Sequence, residues 1–156
     1  RAEIVTAPGI SALQAAAARA GAVLGHDFCA VSLSDLLTPR ENILTRLRAA
    51  AEGDFVVALY NPVSAMRREL FPLALQILGR HRPPETPVVL ASNLGRPGER
   101  VGIHRLAEVT MDEVDMMTIV IVGSSRSRVL RHAGATRVFT PRGYAAKRAA
   151  ASGGAA

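Results

Sequence analysis

The chain has one cysteine and no tryptophan among its 156 residues, and it lacks most of the signatures by which catalytic domains are recognised. The lone thiol, Cys29, cannot form an intrachain disulfide, and its place in an apolar run agrees with a reducing compartment. No apolar run approaches the roughly 20 residues that a membrane-spanning helix requires. The N-terminus has neither a basic segment followed by an apolar stretch nor a cleavage signature. A cytoplasmic protein with no membrane partner is expected. There is no GxxxxGK[ST] loop, no GxGxxG and no GxSxG. The four histidines, His26, His81, His104 and His132, are far apart and none has a partner at i+4, so a helical zinc pair is excluded and no metal is expected. Ser34, Asp35 and His104 supply the residue types of a hydrolytic triad, but without the strained elbow that would present the serine.

What is present describes one folded domain. Hydrophobic residues make up 49% of the chain and charged residues 21%, enough to bury a sizeable core. The net charge of +6 looks like a nucleic-acid signal until it is located. All 13 acidic residues precede Arg126, whereas the segment from Arg126 to Arg148 is basic with no acid, so the excess belongs to the C-terminal part. Nearly all the basic residues are arginine, whose planar fork pairs bidentately with carboxylates and phosphates. An acidic small molecule therefore suits this chain as well as a polynucleotide does. A solvated basic tail is the plain alternative.

Apolar strand-like runs alternate with helical periodicity, the pattern of an α/β domain. Residues 3–7 read as a first strand, 11–21 as a helix and 28–33 as a second strand. Thr38-Pro39-Arg40-Glu41 reads as a capping box, with Thr38 as N-cap, for a helix running to about Glu52. Residues 55–60 are apolar throughout and stop at Asn61-Pro62, which predicts a central buried strand. A helix is expected over 65–80, with Pro72 forcing a kink or a late start. Strands follow at 87–92, 100–106 and 118–122, separated by the glycine- and proline-rich loop 94–98. The expected fold is α/β, a mixed sheet of five to six strands flanked by helices. The low-complexity run 145–156 reads as a tail that is frayed unless it docks.

Polar or glycine-rich breaks close the apolar strands at 8–12, 32–35, 60–62, 92–98 and 122–126. Ligands of α/β sheets gather where strand ends face loops, so several of these breaks are expected along one edge. The first, Pro8-Gly9-Ile10-Ser11-Ala12, opens an alanine-rich helix whose N-terminal N–H groups suit a polar or anionic ligand. Almost nothing precedes it that could form the other wall of a pocket, and the chain reads like half of a site.

In order, the segments 8–19 (PGISALQAAAAR), 25–39 (GHDFCAVSLSDLLTP), 53–62 (GDFVVALYNP), 95–101 (GRPGERV) and 140–144 (TPRGY) resemble the tetrapyrrole methylase family. Within it they resemble the branch that methylates precorrin-3B at C17 in cobalamin synthesis, SLSDLLTP and LYNP being the most specific pieces. The resemblance spans nearly the whole chain. It implies a two-domain α/β enzyme that binds S-adenosylmethionine between domains, with the tetrapyrrole in an adjoining trough, and a homodimer. Residues 1–144 then correspond to the C-terminal-type domain, and the N-terminal domain with its glycine-rich cofactor loop has no counterpart. A fragment, a chain completed by another polypeptide and a remnant without activity all satisfy this, and the missing initiator methionine favours the fragment.

Carried over by position, the resemblance implies cofactor contacts at Ser11, Ala12, Tyr60, Asn61, Asn93 and Leu94, mostly through backbone groups. Arg96, Arg100 and Arg126 become candidate clamps for the carboxylate arms of the macrocycle. The implied reaction is methyl transfer to C17 with ring contraction to precorrin-4, and Ser34, Asp35, Glu99 and His104 are candidates for its proton relay. The contrasting expectation is a non-enzymatic dimerisation or substrate-holding module whose arginine-rich tail binds a polyanion, in a manner that salt would weaken steeply.

Overall fold

The uninterrupted apolar runs become the middle of one sheet. The computed structural model describes residues 2–64 and 66–143. In chain order its elements are α1 (Ala12–Ala20), β1 (Phe28–Ser32), α2 (Arg40–Glu52), β2 (Val56–Tyr60), α3 (Leu70–Gly79), β3 (Pro87–Ser92), β4 (Arg100–Arg105), β5 (Thr118–Val122), β6 (Arg128–His132) and β7 (Ala135–Phe139). The first five strands form a sheet ordered β1-β2-β5-β3-β4, and β6 and β7 pair as a separate hairpin. β1 and β2 are parallel, while β5 runs antiparallel to both β2 and β3. β4 runs antiparallel to β3, with Ser92 opposite Arg100. The ends of β1, β2 and β3 therefore share one edge of the sheet with the starts of β4 and β5.

Side chains on successive strand residues point to opposite faces, and the central strands divide their apolar residues accordingly. Val57, Leu59, Val88, Leu90, Val120 and Val122 pack with α2 and α3 on one face. Val56, Ala58, Val89, Ala91, Ile119 and Ile121 pack with α1 and Val138 of the hairpin on the other. On this second face alanine meets alanine: Ala16, Ala17 and Ala20 of α1 lie in one cluster with Ala58 and Ala91, so the helix approaches the sheet closely. Gly21, at φ 119, ends α1 where an added Cβ would stand 2.6 Å from the Val138 carbonyl oxygen. The 140–143 segment closes the same corner. Thr140 Oγ1 donates to the Val23 carbonyl at 2.6 Å and Arg142 Nε to that of Gly25 at 2.6 Å.

Several expectations are corrected. Residues 3–7 form no strand: Ile4 and Val5 are 92% and 78% exposed and pair with no sheet edge. Thr38 does not cap α2. Pro39, with extended backbone at φ −52 and ψ 135, takes the N-cap position, and its carbonyl accepts from Asn42 N at 3.0 Å. The 65–80 helix shows the late start that Pro72 predicts: it begins at Leu70, which leaves Pro72 in its first turn, where a missing N–H costs no helical bond. The β6–β7 hairpin was not expected, because its arginines and its mostly exposed face hide the strand alternation. The break at 122–126 lies at the sheet end opposite the others, since β5 runs against β2 and β3. The 145–156 tail lies outside the described residues.

At that opposite end Arg82 is buried, 5% exposed. Its Nε donates to the Gly123 carbonyl at 2.8 Å, and its terminal nitrogens donate to the carbonyls of Phe55 at 2.6 Å and Leu78 at 3.4 Å. Burial pulls its pKa below the ordinary guanidinium value, and the charge of Asp54 opposes that pull. Asp54, in the left-handed region at φ 52, accepts from Ser125 N at 2.8 Å and Ser125 Oγ at 2.6 Å. One guanidinium thus joins the ends of α3 and β5 to the residue before β2. Arg82→Met keeps the stem and removes the donors; it is expected to lower the unfolding free energy by about 2–4 kcal/mol in urea titration, and a loss under about 1 kcal/mol refutes this role.

Candidate functional site

The sequence places polar residues at every strand end along the edge where β1, β2 and β3 finish, and the fold brings several of them together. Tyr60 ends β2 and its hydroxyl accepts from the Leu13 backbone N–H at 3.1 Å, which fixes the N-terminus of α1 against the sheet. Gln14 Oε1 accepts from Ser11 N at 2.8 Å, so the start of that helix is closed locally. Asn61 and Asn93 follow β2 and β3 with φ of 52 and 54. Asparagine tolerates this left-handed conformation, which turns the chain sharply at both strand ends. Asn61 Nδ2 donates to Ser32 Oγ at 3.0 Å, joining the ends of β1 and β2.

Between these turns lies a half-open cleft of about 210 Å³, lined by Ala12, Tyr60, Asn61, Asn93, Leu94 and Arg96 from one side and by residues 116–119 from the other. Five of the six cofactor positions implied by the resemblance line it, and Ser11 stands beside it as the N-cap of α1. The 116–119 wall is the part that sequence reasoning missed. Asp115 organises it: Oδ1 accepts from Met117 N at 2.8 Å and from Thr118 Oγ1 at 2.7 Å. Thr118 Oγ1 also lies 2.6 Å from Ser92 Oγ, joining β5 to β3. The start of β5 reaches the cleft only because that strand is antiparallel to β2 and β3, and no local signal in the sequence gives its direction.

The candidate proton-relay residues do not converge. Ser34 and Asp35 follow β1, where Ser34 N donates to Ser32 Oγ at 3.3 Å and Asp35 lies 3.8 Å from Arg67. His104, in the second half of β4, has its Nδ1 3.2 Å from Glu113. Glu99 is engaged by α1: Oε1 accepts from Arg19 Nε at 2.8 Å, and Oε2 accepts from Arg19 at 3.2 Å and from Gly95 N at 2.6 Å. Among the substrate candidates, Arg96 lines the cleft and Arg100 lies 3.7 Å from Asp115, whereas Arg126 is on the loop after β5 at the other end of the sheet. Cys29 is half-buried on β1, and burial pushes its thiol pKa up against the opposing charge of Arg82, which disfavours a nucleophilic thiolate.

The fold defines an α/β domain with a cleft at its strand ends, and comparison with known proteins places it. Residues 1–110 match the family described as Tetrapyrrole (Corrin/Porphyrin) Methylases, and the chain belongs to that family. It is 47% identical over 144 residues to a precorrin-3B C(17)-methyltransferase of Sinorhizobium sp, covering 92% of this chain and 57% of that protein. It is 40% identical over 149 residues to a probable cobalt-factor III C(17)-methyltransferase of Methanocaldococcus jannaschii, covering 91% of this chain and 58% of that protein. The crystal structure of the methyltransferase CobJ superposes with a TM-score of 0.78 at 43% identity, covering 86% of this chain and 54% of that one. The chain thus spans a little over half the length of these relatives.

The Glu99 arrangement has a pH signature. Hydrogen bonds from Arg19 first and Gly95 second hold the Glu99 carboxyl below its ordinary value of 4.5. A carboxylate whose folded pKa is depressed contributes its stability fully above the unfolded value and loses it as pH falls through the folded one. Native chain should therefore melt higher than Glu99→Gln by a constant margin at pH 6–8, and the margin should shrink below about pH 4.5. Thermal melts across that range check this, and a margin that does not change with acid contradicts it.

Proposed function

We propose that the chain is the C-terminal-type half, residues 1–144, of an S-adenosylmethionine-dependent C-methyltransferase that acts on a corrin precursor at C17. The observation that carries this reading is the cleft where Ala12, Tyr60, Asn61, Asn93 and Leu94 converge. The names of the relatives support the substrate class, and they divide between precorrin-3B and cobalt-factor III, so both metal-free and cobalt-bearing macrocycles belong to the proposal. Precorrin-3B with ring contraction to precorrin-4 is the reaction the sequence resemblance implies. The proposal includes the cytoplasmic homodimer that the same resemblance implies.

The residues present fit the cofactor in part. Small Ala12 at the start of α1 leaves room at the cleft wall and the left-handed turns at Asn61 and Asn93 border it, while the Leu13 N–H is taken by Tyr60 and the Asn93 N–H by the Met117 carbonyl. A half-open cleft of about 210 Å³ encloses only part of such a ligand, so a second wall from the rest of the longer protein is required. S-adenosylmethionine held there would supply an electrophilic methyl group on sulfur for transfer to a ring carbon. An in-line displacement of this kind asks the protein mainly for position. Tyr60 contributes by holding the α1 N-terminus through Leu13. Arg96 and Arg100 lie at the same edge and are the proposed partners of the carboxylate arms, whereas Arg126 lies at the other end of the sheet. For proton transfer during ring contraction Ser34, Asp35 and His104 remain the candidates, while the ion pair leaves Glu99 a positioning residue.

Calorimetric titration with S-adenosylhomocysteine, of this chain alone and of the chain joined to the N-terminal half of a homologous enzyme, tests the proposal. Binding that appears or strengthens on joining is expected, and Tyr60→Phe should weaken it about three- to tenfold, the value of one hydrogen bond. No binding in either form overturns it.

A further inference from the structure

A second, larger cleft lies at the other end of the sheet. It measures about 820 Å³ and runs between the β6–β7 hairpin and the edge where β3 begins and β4 ends. Its wall includes Thr86, Arg105, Arg128, Arg131, Glu85 and Glu108. Val129 and Arg131, two apart on β6, both line it, so the hairpin turns one face toward the cleft and carries a guanidinium there.

The cations of this wall differ in how far they are engaged. Arg105 lies 3.8 Å from Glu108. Arg128 donates to the carbonyls of Ser125 at 3.0 Å and Ser127 at 2.9 Å, which fixes its head at the rim without neutralising it. Arg131 has no ion pair among the described residues. Thr86 lines the same cleft, 3% exposed, and its backbone is satisfied: its N–H donates to the Pro83 carbonyl at 3.0 Å, and its carbonyl accepts from Leu106 N at 2.9 Å. Its hydroxyl, by contrast, is the buried side-chain oxygen among the described residues without a hydrogen-bond partner. Native proteins pair nearly all such groups, and a hydroxyl at the wall of a cation-lined cleft is a donor suited to an anionic oxygen.

We propose that this cleft binds a small polyvalent anion, its phosphate or carboxylate oxygens held by Arg131 and Arg128 with the Thr86 hydroxyl as a further donor. With three guanidinium groups against two carboxylates, one of them beside Arg105, the wall favours negative charge. Arginine forks suit both oxyanion classes. The site is at the opposite end of the sheet from the Tyr60–Asn93 cleft, so it can be occupied without competing for that cleft.

Isothermal titration of the 156-residue chain with pyrophosphate and, separately, with citrate at low ionic strength tests this. A dissociation constant below about 1 mM for either probe supports the site, and the tighter of the two identifies the oxyanion class. Binding should weaken about tenfold in Arg131→Ala and about three- to tenfold in Thr86→Val, with melting curves confirming that each variant folds. Arg46→Ala removes the same charge from an exposed position on α2 and should leave binding unchanged. If neither probe binds, or if Arg46→Ala weakens binding as much as Arg131→Ala does, the site is refuted. Sedimentation that shows the hairpin face closed by a second copy, abolished by Arg131→Ala, with no anion bound, would also refute it.

Discussion

The buried guanidinium of Arg82 is the constraint on which one end of this sheet depends. Three chain segments meet there with carbonyl groups directed at the guanidinium, that of Leu78 also accepting from His81 N at 3.1 Å. A guanidinium answers all three because its donors diverge in a plane. Its charge is not matched by a contacting carboxylate, so the carbonyl dipoles carry most of the compensation for its desolvation, and Asp54 acts from farther off. That arrangement fixes where β5 leaves the sheet, and hence where the 124–127 turn and the hairpin beyond it can lie.

The direction of β5 has a second consequence. Antiparallel between two mutually parallel strands, it brings the start of one strand to the ends of the others and adds residues 116–119 to an edge already holding three strand-end turns. With β5 parallel instead, the cleft would have had only the α1 N-terminus and the asparagine turns. On the other face, the small residues of β2 and β3 let α1 come close enough for Leu13 N–H to reach the Tyr60 hydroxyl. The cleft is thus set by topology and by side-chain size together.

Elements defined by local pattern were legible in the sequence. The apolar runs at 56–60, 87–92 and 118–122 gave central strands, and the alanine-rich stretch after Ser11 gave α1. What could not be read were features set by distant partners. Ile4 and Val5 have strand-like side chains, but a strand exists only where an edge pairs with it, and none does. The hairpin was missed for the opposite reason: its backbone pairing from Arg128 opposite Phe139 to His132 opposite Ala135 holds a ribbon whose outer face needs no apolar residues. Glu99 reads as a candidate relay carboxylate by motif alone. Only the approach of Arg19 from a helix 80 positions earlier shows it to be a loop fastener.

On the proposed reading, the exposed apolar residues around the strand-end edge take on meaning. Ile10, Leu36, Leu37, Met66, Met116 and Met117 are 83%, 78%, 93%, 93%, 54% and 45% exposed, and each follows or precedes an element that ends at that edge. Scattered single apolar residues need no explanation, but Met116 and Met117 line the cleft itself, and the other four lie in segments next to elements that meet that edge. Displacement at a sulfonium proceeds best where water is excluded, and an open cleft of about 210 Å³ does not exclude it. The chain spans only 57% and 54% of two of these relatives, which leaves chain enough in them to cover that edge. Apolar residues at that edge would let one surface do two things at once: bury side chains against a second wall, and dry the cleft so that its polar groups act at low dielectric.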